Sequence, residues 1–396
     1  MRIYGIDVAS EVHVVAGLDG DGEVALKATK VEESGVGHDR LLEVLGEPAG
    51  ALVVMEATGH YWKNLFARLS TAGFQVAVVN PLAVRRFADS MMTRAKTDAA
   101  DALLIARFAL ATRPRPAAML DEQLEELREM MRLRDRWVQD LGDRVRQLHR
   151  LVDLGFPEFT RHISDLGTSM ATTLLTRCPT AAAFRKVKPS TLAKLKYDGR
   201  HHVPDDVAVE LIAAAKHSAG MHHGPAYQVG VRTACEDIDV LRGRIRDADR
   251  NIGKLIETSE LGALLQTIDG IGPTSAARIL AEFGDPSTYA SGDAFAAHFG
   301  VVPATNHSGK STPQRAGTTH LGDAKLRAKM WMPTLTAVKR NPWLKVFYDR
   351  LIEAGKPAKV ALVASMRKLA TAIYSVAKNR RAFVPRLPAT ASQTTC

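Results

Sequence analysis

Three short β-rich runs open the sequence, RIYGIDVAS, EVHVVAGLDG and EVALKATKV, the last two joined by the turn-prone DGDG. Such a meander commits the start of the chain to neighbouring strands. A fourth β-rich run, ALVVMEATG, precedes a helical pattern at YWKNLFARLSTAG, whose Gly73 suits a helix end. A fifth strand, QVAVVNP, and a long helical stretch over residues 83 to 111 follow. The order is βββ, α, β, α, β, α. That is the ribonuclease H-like layout, a mixed sheet with helices on its faces.

The chain has 396 residues, more than one ordinary core needs, so two or three domains are expected. With 46% hydrophobic and 24% charged residues it reads as globular rather than disordered. It holds no uninterrupted apolar stretch approaching the roughly 18 residues of a spanning helix, and MRIYGIDVAS reads as a strand rather than a signal peptide. A cytoplasmic protein with no membrane partner is the expectation. Cys178, Cys235 and Cys396 are odd in number and lack a CxxC pair, so they read as reduced bystanders.

RPRPAAML breaks the helical pattern, and a heptad run begins. Leu124, Met131, Val138, Val145 and Val152 share one core position, Leu120, Leu127, Leu141 and Leu148 the other, with Arg134 the only interruption. A second run, Val231, Ala234, Ile238, Leu241, Ile245, Ala248, Ile252 and Leu255, has the same spacing. The two fit either an antiparallel pair within one chain or a coiled coil between chains. Between them, residues 156 to 230 look helical. They carry His201, His202, His217, His222 and His223, with no Cys or carboxylate at ligand spacing.

From residue 261, LLQTIDGIGPTSAARIL fits a helix-hairpin-helix, in which Gly270 and Gly272 let the backbone approach a phosphate. The formal charge of +10 is concentrated nearby. From Asn306 onward there are 17 Lys and Arg against 3 Asp and Glu, while the first 305 residues hold 36 against 40. A basic surface of that kind is the footprint of a polyanion, most commonly nucleic acid. Lys310, Arg315 and Arg340 are expected contacts within it. The expected division is a catalytic domain over 1–115, a coiled-coil and helical region over 116–260, and a mainly helical C-terminal domain over 261–396.

Four carboxylates belong together in this layout. Asp7 ends the first strand and Glu56 the fourth, and in a ribonuclease H-like sheet those strands run parallel side by side. Asp98 and Asp101 are three positions apart in RAKTDAADAL, on one helix face, about 5–6 Å apart at Cβ. Such a cluster repels itself unless a cation fills it, and oxygen ligands of this kind suit Mg²⁺ or Mn²⁺. Arg94 and Lys96 then sit where a DNA phosphate must approach. Taken alone, Thr97 or Asp98 could instead cap a helix whose dipole favours Asp101.

YGIDVAS, VVMEATGHYW, VVNPLAVRRFA and RAKTDAADALLIARF resemble the N-terminal RuvC-like DEDD domain of the insertion sequence 110 family of transposases. LLQTIDGIGPTSAARILAEFGD, FAAHFGVVPATNHSGKSTPQRAG and the stretch through KLRAKMWMPTLTAVKRNPW resemble that family's C-terminal transposase domain. The resemblance implies a DNA recombinase. In it Asp7, Glu56, Asp98 and Asp101 bind divalent metal, and a serine of the C-terminal loop attacks a DNA phosphodiester and holds it covalently. Ser308, in ATNHSGKSTPQRAG, matches the family's nucleophile, and Ser311 is the competitor. The resemblance further implies a noncoding bridge RNA pairing with donor and target DNA, and dimers or tetramers with shared active sites. The long segment between the heptad runs departs from shorter family members.

Three other classes fit less well. Actin-like sugar kinases also open on such a meander, but Ala9-Ser10 replaces their glycine turn and no later GxG loop follows a strand. A metal-dependent structure-specific nuclease is the main alternative. A non-catalytic nucleic-acid-binding module has no need of four converging carboxylates.

Overall fold

The computed structural model describes residues 1–91, 97–117, 121–301 and 324–385. The chain divides into two compact units, Met1–Asp121 and Glu122–Cys396.

In the first unit, strands β1 (Arg2–Asp7), β2 (Val12–Leu18) and β3 (Val24–Glu32) form the expected antiparallel meander. β4 (Ala51–Glu56) pairs parallel with β1, and β5 (Gln75–Val79) parallel with β4, giving the order β3-β2-β1-β4-β5. This is the ribonuclease H-like mixed sheet. Strand alternation sends Tyr4, Ile6, Val53 and Met55 to one face, under helices α1 (Gly35–Leu45) and α2 (Trp62–Thr71). Ile3, Leu52 and Val54 go to the other, under α3 (Pro81–Ser90) and α4 (Asp98–Thr112). The helical stretch expected over residues 83 to 111 is thus two helices. Thr97, in extended conformation, starts the second by accepting a hydrogen bond from the Ala100 N–H at 3.2 Å.

Gly5 sets how closely α4 lies on the sheet. A Cβ there would stand 2.2 Å from the Ala102 carbonyl oxygen and 2.4 Å from the Ala106 nitrogen, both backbone atoms of α4. Neither can rotate away. Gly5→Ala should therefore push α4 off β1, costing about 1–3 kcal/mol or more. Chemical denaturation of the purified variant measures this, and an unchanged midpoint would refute the close approach.

In the second unit, helix α5 (Glu122–Gly155) and the helix Pro225–Glu257 carry the two heptad runs, apart from Leu120, which lies outside the described residues, and pack on each other. Their direction follows from two ion pairs, Arg134 with Asp249 at 2.5 Å and Arg144 with Asp237 at 3.2 Å: as one number rises the other falls. The arrangement is the antiparallel pair within one chain. Arg134, the break in the heptads, occupies its core position by pairing across the hairpin. One end of the hairpin joins a core with Leu148, Val152, Phe156, Phe159, Phe184, Val231 and Ile238, so the segment between the runs is a packed subdomain. The other end, at Leu127, Met131, Ile252 and Ile256, joins the C-terminal core. Between the two cores the seam thins, and Val138 is 43% exposed despite its heptad position.

The helix Ala358–Asn379 is long and apolar enough by length and composition to cross a membrane, yet more than half of its apolar 18-residue window is buried in this unit. Leu362, Met366, Leu369 and Ile373 pack into the C-terminal core. It is a core helix. Cys178 and Cys235 are free and buried, and burial pushes the Cys235 thiol up to about 12.

Candidate active site

Asp7 and Glu56 are the last residues of β1 and β4. The parallel register, Ile3 opposite Leu52 through Ile6 opposite Met55, carries Asp7 opposite Glu56 one step on. Both belong to the alternation set of Ile3 and Leu52, the face that α4 covers. Asp98 and Asp101 lie in the first turn of α4. Because Ala102 packs with Val14, the partner of Asp7, while Leu110 reaches Gly22 at the far end of the meander, the start of α4 lies toward the strand ends. The N–H groups of that first turn carry partial positive charge, which favours carboxylates there.

Asp7 and Glu56 respond to their surroundings. The Asp7 carboxyl is pushed up from its ordinary range, first by burial and then by the charges of Asp101 and Asp98, with His13 opposing. Glu56 is pushed up by burial, then by Asp7 and Asp101. These shifts have a sign for stability. An acid whose folded pKa is raised contributes stability that is fully present below its unfolded pKa and lost as pH rises through the folded value. The metal-free protein should therefore gain stability as pH falls from neutral toward the usual carboxylate range. Asp7→Asn should shrink that gain while raising metal-free stability at neutral pH. Thermal melts of both proteins in chelator across this range measure it, and identical pH profiles would contradict the repulsion.

Ser308, Ser311, Lys310, Arg315, Arg94 and Lys96 lie outside the described residues. Among the other expected nucleic-acid contacts, the two glycines differ. Gly270 has φ +103°, and a Cβ there would stand 2.5 Å from the Ala337 Cβ and 2.7 Å from its Cα, so its open side is filled by the helix Trp331–Arg340. Gly272 is exposed and precedes the helix Pro273–Phe283, with nothing within 4 Å of its Cβ position. Pro273 has no N–H, so that helix start offers one donor fewer than usual. Arg340 is exposed in the last turn of its helix. Two other cations of the basic region have partners within the chain: Lys345 bonds Asp349 at 2.6 Å and Arg367 bonds Asp293 at 2.9 Å.

A second polar group escaped the sequence reading. His13, Glu33 and His38 bring ligand-type atoms within 4.8 Å of one another, a grouping close enough to hold a metal ion. His13 Nε2 is 2.6 Å and His38 Nε2 2.9 Å from Glu33 Oε2, and Asn64 Nδ2 donates to Glu33 Oε1 at 3.1 Å. These contacts outweigh burial and hold the Glu33 carboxyl down at about 2. The available signal was a histidine on the inward face of an otherwise apolar strand, VHVVAGL. Among the described residues, the five histidines between residues 201 and 223 form no comparable group.

Comparisons with known proteins agree with both halves of the chain. A family model described as Transposase, of the insertion sequence 110 DEDD type, matches residues 4–157. A second, described as Transposase IS116/IS110/IS902 family, matches residues 262–349. The chain is 28% identical over 403 residues to the "Insertion element IS116 uncharacterized 44.8 kDa protein" of Streptomyces clavuligerus, covering 98% of each chain. It is 24% identical over 343 residues to the "Pilin gene-inverting protein" of Moraxella bovis, covering 85% of this chain and 82% of the other. The Thermus thermophilus RuvC structure aligns at 22% identity with a TM-score of 0.24, over 30% of this chain and 100% of that one. With one family's models matching residues 4–157 and 262–349 in order, and a relative aligned along nearly its whole length, the chain belongs to the insertion sequence 110 family of transposases.

Proposed function

We propose that this transposase cuts and rejoins DNA strands through two groups, a divalent-metal site at Asp7, Glu56, Asp98 and Asp101 and a serine nucleophile at Ser308. The observation that carries the metal half is the shared location of four carboxylates at the ends of β1 and β4 and the mouth of α4, where burial and mutual repulsion raise two of them. A donor set of carboxylate oxygens alone fits Mg²⁺ or Mn²⁺ and does not fit a soft metal. Bound there, such an ion supplies Lewis acidity toward a phosphodiester oxygen.

The chain's own residues do the rest. Asp7 and Glu56 stand at neighbouring strand ends, and the first turn of α4 brings Asp98 and Asp101 to the same end of the sheet. The serine hydroxyl exchanges one ester for another: its oxygen bonds to phosphorus, the DNA oxygen leaves with the proton, and the reverse step joins a new strand. That balance keeps the phosphodiester energy that hydrolysis would lose. Sequence choice is assigned to a noncoding bridge RNA paired with donor and target DNA, and the basic C-terminal region, with Gly272, Lys310, Arg315 and Arg340, is assigned to phosphate contact. The assembly is proposed as a homodimer or homotetramer, in which one subunit's carboxylates act with another's serine. A relative named for inverting a pilin gene supports strand exchange over simple cutting.

The test is to purify the protein from cells carrying its own element, identify any RNA that accompanies it, and supply donor and target DNA with Mg²⁺. Recombinant junctions are the expected result, and their loss after ribonuclease treatment is expected with it. Nicked or linear DNA alone, unaffected by ribonuclease, would make the protein a metal-dependent nuclease.

A further inference from the structure

The chain leaving β1 after Asp7 runs through an exposed turn, Ala9 to Val12, before returning as β2. Two bonds grip this turn. The Ala9 N–H donates to His13 Nδ1 at 3.3 Å, and the Glu33 N–H donates to the Glu11 carbonyl at 2.8 Å. Both lead to the polar group beneath. His13 is 1% exposed and lies on the α1 and α2 face of the sheet, opposite the carboxylates, since its neighbour Val14 pairs with Asp7. Glu33 stands at the junction of β3 and α1, His38 on α1 and Asn64 on α2, so one carboxylate ties together four segments.

The tautomer decides what this group can be. Nδ1 of His13 accepts from a backbone N–H and therefore carries no proton, so in the neutral ring Nε2 carries it and donates to Glu33. A metal ion at the same three side chains would need the Nε2 lone pair, which this proton occupies. The arrangement is that of a hydrogen-bonded network with a charged acceptor, the stronger kind of hydrogen bond. Its output is the position of the Ala9 amide, two residues beyond Asp7.

We propose that His13, Glu33, His38 and Asn64 form a clasp on the back of the sheet that fixes the turn after β1 and so positions the Asp7 carboxylate for a divalent cation. Asp7 stands half-buried beside other carboxylates at the strand ends, and the exposed turn after it is where β1 could give way. The clasp resists that movement from the face the carboxylates do not use. These are positioning residues, and the inference rests on the proposed metal site at Asp7.

The experiment compares His13→Asn with His13→Phe in the full chain. Asparagine places Oδ1 near the site of Nδ1 and keeps an acceptor for Ala9, whereas phenylalanine fills the space and keeps none. Two readouts are taken, hydrogen exchange of the peptide spanning residues 5 to 13 in metal-free protein, and Mn²⁺ affinity from the paramagnetic signal of free Mn²⁺. His13→Phe should lose protection in that peptide and bind Mn²⁺ about 10–100-fold more weakly. His13→Asn, which keeps the acceptor for Ala9 but not the Nε2 donor to Glu33, should fall between His13→Phe and wild type in both. Glu33→Gln, which keeps shape but loses the charged acceptor, should move both readouts in the direction of His13→Phe and serves if that variant does not fold. A folded His13→Phe with wild-type protection and Mn²⁺ affinity would overturn the clasp. So would Zn²⁺ bound stoichiometrically by Asp7→Ala protein and lost in Asp7→Ala/His13→Asn, which would make the group a metal site. If Asp7→Ala leaves Mn²⁺ affinity unchanged, the carboxylate reading fails, and the metal-free exchange result still decides the clasp.

Discussion

Asp7→Ala, Glu56→Ala, Asp98→Ala and Asp101→Ala should each lower DNA strand cleavage by roughly a thousandfold or more, equivalent to about 4 kcal/mol of transition-state stabilisation. The size follows from what the groups do. A divalent ion must be held by several oxygens at once, and losing one both weakens it and shifts the remainder. The fold should survive, because Asp7 and Glu56 lie at strand ends and Asp98 and Asp101 in a helix first turn whose cap is Thr97. Metal-free stability should even rise for Asp7→Ala, since burial and the neighbouring charges disfavour its ionised form. Loss of activity without loss of stability separates a cation site from a structural cluster. Asp101→Ala is the sharpest single test, because Asp101 raises both Asp7 and Glu56. Wild-type cleavage by Asp101→Ala in Mg²⁺ would remove it from the site.

The sheet and its carboxylates were legible because they rest on local signals with fixed consequences. Alternation in RIYGID and ALVVME names the strands, and the ribonuclease H-like order makes their ends neighbours, so Asp7 and Glu56 could be paired without coordinates. What depends on a partner surface was not legible. The heptads named two long helices but were equally compatible with pairing between chains, and only the pairing of Arg134 with Asp249 and of Arg144 with Asp237 sets their antiparallel match. GIG looked like a phosphate loop, and nothing local could reveal that Ala337 packs against Gly270. Gly5 looked like any strand glycine until α4 was in place above it. His13 was hidden for the same reason: its meaning comes from Glu33, His38 and Asn64, which are 20, 25 and 51 positions away in the chain.

Ser308→Ala should abolish both covalent attachment to DNA and strand exchange, by about 10⁴–10⁶-fold, the range typical of losing a nucleophile outright, while leaving DNA and RNA binding intact. Ser308 itself is outside the described residues, but the chain on either side of its segment is firmly built. Before it, Val301 is 2% exposed and the Gly300 carbonyl accepts a hydrogen bond from Arg327 Nη1 at 2.8 Å. After it, Lys329 pairs with Asp135 of α5, which also receives a two-pronged contact from the nearly buried Arg278 at 2.7 and 2.8 Å. Removing one hydroxyl touches none of these anchors, so binding and stability should hold. A nicked substrate that cannot be religated traps the intermediate, and peptide mapping after denaturation identifies the modified residue. An adduct on Ser311 would move the nucleophile three positions along the sequence. Strand exchange by Ser308→Ala at the wild-type rate, with no adduct on any residue, would instead mean that water or a DNA hydroxyl attacks directly at the carboxylate site, and the energy argument for rejoining would then require both DNA ends to be held there without a covalent link.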